Sequence, residues 1–331
     1  MTFLITGGAG FIGSHVVDML ISKGHTVHIE DDLSTGSRTN INHNSIFQGP
    51  RCCGTIRAED IPRGSTVIHL AARPACNASM FAPVADTDNN YCAAVRFLKA
   101  AIVAGVSRIV LVSSMSVYGD AMPMPYVETL APQPRDPYAI NKFALELMVK
   151  SLAQSFGIEW VIVRPQHVFG PRQRNDLTYR NVIARWLRRS MARQTLPVIG
   201  SLSLRRAFSP IGLVVRGIVA AATLPQAASQ IFNLGSPIIR SLQSLRNLIE
   251  EYCKHEVTME FRPGPPTLAE ECFGDVSKAS AMLGIIELPD EFEVAFNAIA
   301  DEIGLQQPIS IREMEFVPEL SGESYQCIYS H

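Results

Sequence analysis

The sequence lacks an excess of either charge. It contains 29 lysines and arginines against 31 aspartates and glutamates, which gives a formal net charge of −2. Proteins that bind nucleic acid over a broad surface need a clear basic excess, so we expect no nucleic-acid partner. The balance remains compatible with a local pocket for a small anion.

Long apolar runs are also missing. A helix that spans a membrane needs about 18 or more consecutive apolar residues, and the nearest candidate, residues 211–224, is shorter and carries Arg216. The first residues show no charged leader with a cleavage site, because their apolar residues belong to a glycine motif. We therefore expect a cytoplasmic protein without a membrane partner.

Cysteine is infrequent, irregularly spaced and odd in number. The chain has seven cysteines, and Cys52 is adjacent to Cys53, a spacing that suits neither a routine disulfide nor a Cys-x-x-Cys metal site. This pattern is typical of reduced thiols in a cytosolic protein. We predict no metal site.

Short β-branched runs alternate with helical patterns through the first half of the chain. Such alternation favours a parallel sheet covered by helices on both faces. The predicted strands are residues 2–6, 26–31, 65–72, 108–114 and 160–165, and the predicted helices are residues 11–24, 90–105 and 138–156.

The sequence changes character after about residue 170, where a basic amphipathic stretch and frequent prolines begin. We predict a Rossmann-type, doubly wound parallel α/β sheet in residues 1–170 and a smaller substrate-binding α/β lobe in residues 171–305. A segment near residues 207–238, which contains the strand-like run 229–235, is expected to return to the main sheet. Residues 306–331 have little periodicity and are expected to form a loosely ordered tail.

Three glycines stand between the first predicted strand and the first predicted helix. Gly7 allows a sharp turn, Gly10 lets backbone amides approach a pyrophosphate, and Gly13 lets the helix pack closely on the strand. Asp31 ends the second strand, where a carboxylate can bind both hydroxyls of an adenosine ribose. It would repel a 2′-phosphate, which favours NAD over NADP, and Asp32 could share this role.

Tyr138 and Lys142 lie four residues apart at the start of a predicted helix, so both project from one face. A phenol titrates near 10, and a nearby ammonium favours its phenolate, which can then act as a base. Ser114 follows a buried strand and could bond the same substrate hydroxyl. The pair alone is also common on helix surfaces, and the glycine turn upstream is what favours the catalytic interpretation.

Motifs in a fixed order over residues 1–290 resemble one known group. The sequence is similar to the extended short-chain dehydrogenase/reductases, in particular the NAD-dependent nucleotide-sugar epimerase/dehydratase family typified by UDP-glucose 4-epimerase. The motifs are ITGGAGFIGSH (5–15), DDLSTG (31–36), HLAA (69–72), Asn90, SSMSVYG (113–119), YAINK (138–142), RPQHVFGPRQ (164–173), RRAFSPI (205–211), FNLGS (232–236), RPG (262–264) and DVSKASAMLG (275–284).

The resemblance implies epimerisation of a nucleotide-diphosphate sugar at C4 by a bound NAD that is not consumed. Tyr138 would be the acid and base, Lys142 would tune it and hold the nicotinamide ribose, and Ser114 would polarise the C4 oxygen on the way to a transient 4-keto sugar. The implied cofactor contacts are Gly7, Gly10, Phe11, Ile12, Gly13, Asp31, Asp32, Ser34, Leu70, Ala71, Ala72, Asn90, Tyr138 and Lys142.

The resemblance also implies a UDP-sugar as the most favoured substrate, and a homodimer formed through helices at residues 89–105 and 138–156. Arg206 and Arg262, which the resemblance places against the substrate, could alternatively be solvated charges on the protein surface. The implied substrate contacts are Ser114, Ser116, His167, Arg206 and Arg262.

The residues after Ser114 separate branches of the family. Sugar 4,6-dehydratases usually carry Asp-Glu at this point, and UDP-glucuronate decarboxylases usually carry a glutamate two places on. This chain has Met115 and Ser116, neither of which serves as that second acid or base. Epimerisation is therefore favoured. A dehydratase with other acids, a net oxidoreductase and a non-catalytic NAD-binding regulatory protein stay open as alternatives.

The sequence departs from the family pattern at two places that concern the site. His167 stands where relatives usually have an asparagine that reaches the substrate, which puts the sugar subsite in question. The acidic residue that relatives place beside the adenine has no clear equivalent. Glu59 or Asp60 could supply it, or it is absent.

Overall fold

The structure is a computed structural model, and it describes residues 1–74, 76–119, 123–174, 181–264 and 269–305. The strands are β1 (Thr2–Thr6), β2 (Thr26–Glu30), β3 (Ile46–Phe47), β4 (Thr66–His69), β5 (Arg108–Val112), β6 (Glu159–Pro165), β7 (Val168–Phe169), β8 (Leu196–Ile199), β9 (Arg205–Arg206), β10 (Ser209–Pro210), β11 (Gln230–Leu234), β12 (Arg240–Ser241), β13 (Met259–Arg262) and β14 (Glu271–Cys272). The helices are α1 (Phe11–Ser22), α2 (Cys76–Phe81), α3 (Pro83–Thr87), α4 (Ala93–Ala104), α5 (Pro137–Phe156), α6 (Val182–Met191), α7 (Ile211–Thr223), α8 (Leu242–Cys253), α9 (Ser277–Leu283) and α10 (Glu291–Gly304).

Seven strands form one parallel sheet in the order β11-β6-β5-β4-β1-β2-β3. Ile5 at its centre lies opposite Ile29 on one side and Ile68 on the other. This topology confirms the predicted Rossmann-type α/β fold. The edge strand β3 was not predicted, because a pair of residues between polar neighbours carries too short a pattern to read.

Helices cover both faces of the sheet, which is why its strands read as continuous apolar runs. On one face, Ile5 and Val110 share a core with Val214 of α7, and on the other face Leu4 packs in a core with Phe97 of α4. Full burial of each such side chain stabilises the fold by roughly 1.5–3 kcal/mol. The carboxyl ends of the strands are thereby held in place at one edge.

A separate core lies among α6, α8 and α10, next to the parallel pair β8 and β13. Trp186 is fully buried there, and its indole N–H donates to the Pro197 carbonyl at 3.0 Å. The strand β11 lies in the segment 207–238 and pairs with β6 at the edge of the main sheet. The division at residue 170 stays a prediction, and residues 306–331 lie outside the described residues.

Helix α5 has a complete start and stop. Asp136 caps it by accepting a hydrogen bond from the Ala139 N–H at 2.9 Å, and Pro137 occupies the first position. Gly157 ends it in the left-handed conformation with φ of 67°. Tyr138 and Lys142 therefore lie in the first two turns of a well-defined helix.

The helical segment predicted at residues 90–105 begins earlier in the structure. It starts with α3, continues through a π-helical turn at Asp88–Cys92 and runs on as α4. Such turns are common at functional sites because they rotate a side chain out of the regular helical spacing. Within the described residues, no helix is long and apolar enough to cross a membrane.

Candidate active site

The turn between β1 and α1 leaves room for a ligand at the start of the helix. Gly7 has φ of +75°, and a Cβ there would lie 2.8 Å from the Ala71 nitrogen, while a Cβ on Gly13 would lie 2.1 Å from the Gly7 oxygen. Gly10 caps α1 without a side-chain hydrogen bond, and the first turn has no acidic residue. The free N–H groups of the helix N-terminus therefore suit a diphosphate.

Asp31 lies at the carboxyl end of β2 and is buried. Its two carboxylate oxygens accept hydrogen bonds from the N–H groups of Ala9 at 3.0 Å and Leu33 at 2.8 Å. Burial raises the pKa of this carboxyl, and the two N–H donors partly oppose the rise. Each oxygen retains a lone pair, so Asp31 can still accept from ribose hydroxyls.

The end of the cleft beside Asp31 has an unexpected lining. Asp60 is ion-paired with Arg51 at 2.9 Å, and neither Asp60 nor Glu59 reaches the cleft wall. Cys52 and Cys53 line it instead. Burial raises the pKa of Cys53 to about 12, so its thiol is neutral. No sequence pattern indicated this lining, because the preceding strand β3 is itself too short to predict.

Ser114, Tyr138 and Lys142 come together on the same cleft, below the glycine turn. Lys142 donates to the Val112 carbonyl at 3.0 Å, and its ammonium lies 5.9 Å from the centroid of the Tyr138 ring. Ser114 accepts hydrogen bonds from the Ser116 N–H at 3.2 Å and hydroxyl at 3.0 Å, so its own proton is available to a substrate oxygen. The three side chains form a set that can move a proton to or from an alcohol.

The protonation state of Lys142 determines the charge beside Tyr138. Burial lowers its pKa to about 8, while the nearby carboxylates of Asp86 and Glu146 oppose the fall. The amine therefore remains mostly an ammonium at neutral pH. A cation at this distance stabilises the phenolate of Tyr138.

The structure brings all the predicted cofactor contacts together. They line one continuous cleft along the carboxyl edge of β1, β2, β4 and β5, from the Asp31 end to the Tyr138 end. Those residues are Gly7, Gly10, Phe11, Ile12, Gly13, Asp31, Asp32, Ser34, Leu70, Ala71, Ala72, Asn90, Tyr138 and Lys142.

A second cavity shares Ser114, Tyr138 and His167 with this cleft and extends toward α6. Of the two predicted arginines, Arg206 lines the cavity, whereas Arg262 is outside it, exposed and ion-paired with Glu260 at 3.1 Å. Ser116 contacts Ser114 but lines neither space. The remaining wall is mostly apolar and consists of Pro74, Val168, Val182, Trp186, Pro197, Val198, Ile199, Leu204, Phe208 and Leu242, with Asn181 and Arg185.

Arg185 is a cavity residue that sequence reasoning missed. Its buried Nε has no hydrogen-bond partner among the described residues, and burial together with Arg189 and Arg262 lowers its pKa. No described carboxylate side chain lines this cavity. A cationic wall without a counter-charge suits an anionic ligand such as a diphosphate. The sequence signal was only that Arg185 belongs to the basic amphipathic stretch after residue 170.

His167 has φ of +41°, a conformation that histidine tolerates better than most residues. Its ring packs edge-on against Phe208 with the centroids 6.1 Å apart, and its buried Nε2 has no hydrogen-bond partner in the described part of the chain. Burial and the charge of Arg206 lower its pKa to about 4, so the ring is neutral. It adds no charge where the two spaces meet.

Metal chemistry has no visible basis in the part of the chain that the structure describes. No three histidine, cysteine, aspartate or glutamate side chains come together there as metal ligands. Five cysteines within it are free thiols.

Comparison with known proteins gives the family of this architecture. A model described as the NAD dependent epimerase/dehydratase family matches residues 3–235. A putative UDP-glucose 4-epimerase of Methanocaldococcus jannaschii is 31% identical over 261 residues, which cover 77% of this chain and 82% of the relative. UDP-glucuronic acid decarboxylase 1 of Arabidopsis thaliana is 28% identical and covers 86% of this chain, with 65% of the relative matched.

Solved structures agree with this family, and some of them contain bound ligands. The crystal structure of UDP-glucuronic acid 4-epimerase from Bacillus cereus, in complex with UDP-glucuronic acid and NAD, superposes with a TM-score of 0.81 at 26% identity. The match covers 92% of this chain and 99% of that one. The structural similarity therefore extends over most of this chain.

Proposed function

The chain belongs to the NAD-dependent epimerase/dehydratase family, with NAD as its cofactor, and we propose that it inverts C4 of a UDP-sugar. One observation carries the proposal. Ser114 and Tyr138 line both the cleft that contains Lys142 and a second cavity, whose described wall holds arginines and apolar groups but no carboxylate. This arrangement fits an alcohol oxidised and restored in place, without a second acid or base.

In the proposed reaction, the Tyr138 phenolate takes the proton of the C4 hydroxyl and later returns a proton to the C4 oxygen. Lys142 stabilises the phenolate through its charge, and Ser114 donates a hydrogen bond to the same oxygen. Bound NAD would supply a reversible hydride acceptor for C4, so no net oxidation would occur. Inversion requires that the transient 4-keto sugar turn over in the site, so that the hydride returns to the opposite face of C4. The glycine turn would hold the cofactor diphosphate and Asp31 the adenosine ribose.

The lining of the sugar end supports epimerisation over elimination or decarboxylation. Met115 is buried, and Ser116 is engaged with Ser114, so neither offers a titratable group at the positions where dehydratases and decarboxylases usually carry acids. The relatives include decarboxylases. We take the epimerase branch because no described carboxylate approaches the shared wall of the two spaces.

We assign the nucleotide diphosphate to the arginine side of the second cavity. Arg206 is held in place by the backbone carbonyls of Arg205 and Ala269, at 2.7 Å and 3.0 Å. Arg185 lies on the same cavity, and no described carboxylate lines that cavity to act as its counter-ion. Guanidinium groups suit phosphate oxygens. The apolar wall would then face the nucleoside, and Arg262 would act only if its segment approached the cavity.

We also propose a homodimer. Ile140 and Leu147 lie two turns apart on the same face of α5 and are 50% and 52% exposed. Val103 of α4 is 70% exposed. A seven-residue spacing on one helix forms an apolar stripe suited to another helix. The stripe therefore supports pairing through α4 and α5. The expected cytoplasmic location stays a prediction.

The reaction is tested by purifying the protein, identifying any retained nucleotide, and incubating it with UDP-, TDP- and GDP-sugars without added cofactor. Proton NMR is expected to show C4 inversion. Tyr138→Phe removes the acid/base group and is expected to lower kcat by at least about a hundredfold. Tyr126→Phe is the matched control, because that buried phenol donates to the Gly119 carbonyl outside the cleft.

Other products would contradict the proposal in recognisable ways. A stoichiometric requirement for NAD(P)H indicates a net oxidoreductase, and an unsaturated or deoxygenated sugar indicates a dehydratase. Unchanged biological activity in Tyr138→Phe indicates a binding protein without catalysis.

A further inference from the structure

Asp86 is a buried carboxylate that the proposed reaction does not use. It lies on α3 with 8% of its surface exposed. Its Oδ1 accepts a hydrogen bond from the Asn90 amide at 2.8 Å, and its Oδ2 accepts one from the Asn141 amide at 2.8 Å. Burying a carboxylate is costly unless its surroundings favour the charge. The two amides therefore supply hydrogen bonds that a buried charge requires.

The two asparagines belong to different elements near the candidate site. Asn90 lies in the π-helical turn on the cleft wall, where its amide accepts from the Arg73 N–H at 2.7 Å and donates to the Arg73 carbonyl at 3.2 Å. Asn141 lies on α5 between Tyr138 and Lys142. Asp86 thus joins the chain that follows β4 to the helix that carries the acid/base pair.

The charges that face Lys142 differ in how far they are neutralised. Glu146 is fully buried and bound by the Arg164 guanidinium at 2.9 Å and 2.6 Å, so a cation already offsets it. Cys53 is a neutral thiol, and burial lowers the pKa of His69 to about 3, so that ring is neutral as well.

Among the described residues, the Asp86 carboxylate accepts side-chain hydrogen bonds from two neutral amides, and the charges that face it are those of Lys142 and, with like sign, Asp136. Burial raises the pKa of Asp86, and the two amide hydrogen bonds oppose that rise. Asp86 is therefore the carboxylate near Lys142 whose charge no described guanidinium neutralises.

We propose that Asp86 is a positioning residue that keeps Lys142 an ammonium beside Tyr138 and ties α5 to the cleft wall through Asn141 and Asn90. This inference rests on the proposed acid/base role of Tyr138 and Lys142. The carboxylate does not touch the reacting atoms. It acts through the charge that it places near a lysine buried away from water.

The test follows the protonation of Lys142 without any substrate. The Cε resonance of Lys142 is titrated by ¹³C NMR and identified by its loss in Lys142→Ala. Asp86→Asn removes the charge at nearly constant shape and is expected to lower the titration midpoint by about one pH unit. Asp88→Asn is the control, because it removes an exposed charge from the same helical segment. The alkaline limb of the kcat–pH profile is expected to move with the midpoint.

Two results would overturn the inference. One is a Lys142 midpoint that moves no further in Asp86→Asn than in Asp88→Asn. The other is a neutral Lys142 at pH 7 in the unmodified protein, a measurement that needs no variant to fold. Asn141→Ala separates charge from structure, since it removes one hydrogen bond and is expected to leave the midpoint in place. A full shift in the midpoint without turnover of any nucleotide sugar would instead refute the proposed function.

Discussion

The ion pair between Glu146 and Arg164 offers a quantitative test of how the site is supported. Their side chains are 0% and 2% exposed, and the guanidinium binds both carboxylate oxygens, at 2.9 Å and 2.6 Å. Ser113, next to the proposed catalytic serine, donates to the same carboxylate at 2.6 Å. The Arg164 guanidinium also stacks over the Tyr118 ring at 4.7 Å. The pair therefore lies directly beneath the end of β5.

Glu146→Gln leaves the Arg164 charge buried without a counter-ion. Breaking such a pair is expected to lower the free energy of unfolding by about 3–5 kcal/mol, a large part of the roughly 5–15 kcal/mol available to a folded domain. The measurement is urea unfolding followed by circular dichroism, with the denaturation midpoints compared at a common slope.

A matched control uses the pair of Arg108 and Glu159, which are 2.6 Å apart, with the glutamate side chain 54% exposed. Solvent screens that carboxylate, so Glu159→Gln is expected to cost no more than about 1 kcal/mol. The double variant Glu146→Leu with Arg164→Met removes both buried charges and is expected to return to within about 2 kcal/mol of the original stability. Equal losses in Glu146→Gln and Glu159→Gln, or a double variant as unstable as Glu146→Gln, would refute this reasoning.

Three further predictions concern the cofactor turn, pH and assembly. Gly13→Ala places a methyl group 2.1 Å from the Gly7 oxygen and is expected to abolish NAD binding in calorimetry, whereas Gly304→Ala, with nothing within 4 Å, is not. The pKa of His69 is lowered from 6.5 to about 3 in the folded protein. The free energy of unfolding that the neutral ring contributes is therefore fully present above pH 6.5 and is lost as the pH falls toward 3. Between these two pH values the free energy of unfolding is expected to change by about 1.4 kcal/mol per pH unit. Urea unfolding of His69→Gln at several pH values is expected to show no such change from this residue. Ile140→Glu with Leu147→Glu is expected to yield monomers in sedimentation experiments, and an unchanged mass would contradict the proposed interface.

Much of the fold and part of the candidate site follow from local sequence. The strand, glycine turn and helix at the start of the chain are consecutive, so their geometry depends on short-range sterics that a pattern records. The spacing of Tyr138 and Lys142 likewise determines that both lie on one face of α5, because a helix repeats every 3.6 residues. The two-residue strand β3 escaped prediction since its pairing with β2, and not its own pattern, makes it a strand.

Other features of the site depend on residues far apart in the chain. The pairing of Asp86 with Asn141, the place of Arg185 on the second cavity and the exclusion of Arg262 from it all depend on how helices pack across the sheet. Sequence by itself therefore determined the fold, the glycine turn and the spacing of Tyr138 and Lys142, whose geometry is local. Tertiary structure alone decided which charges are buried together, because desolvation and counter-ions depend on every element that packs around a group.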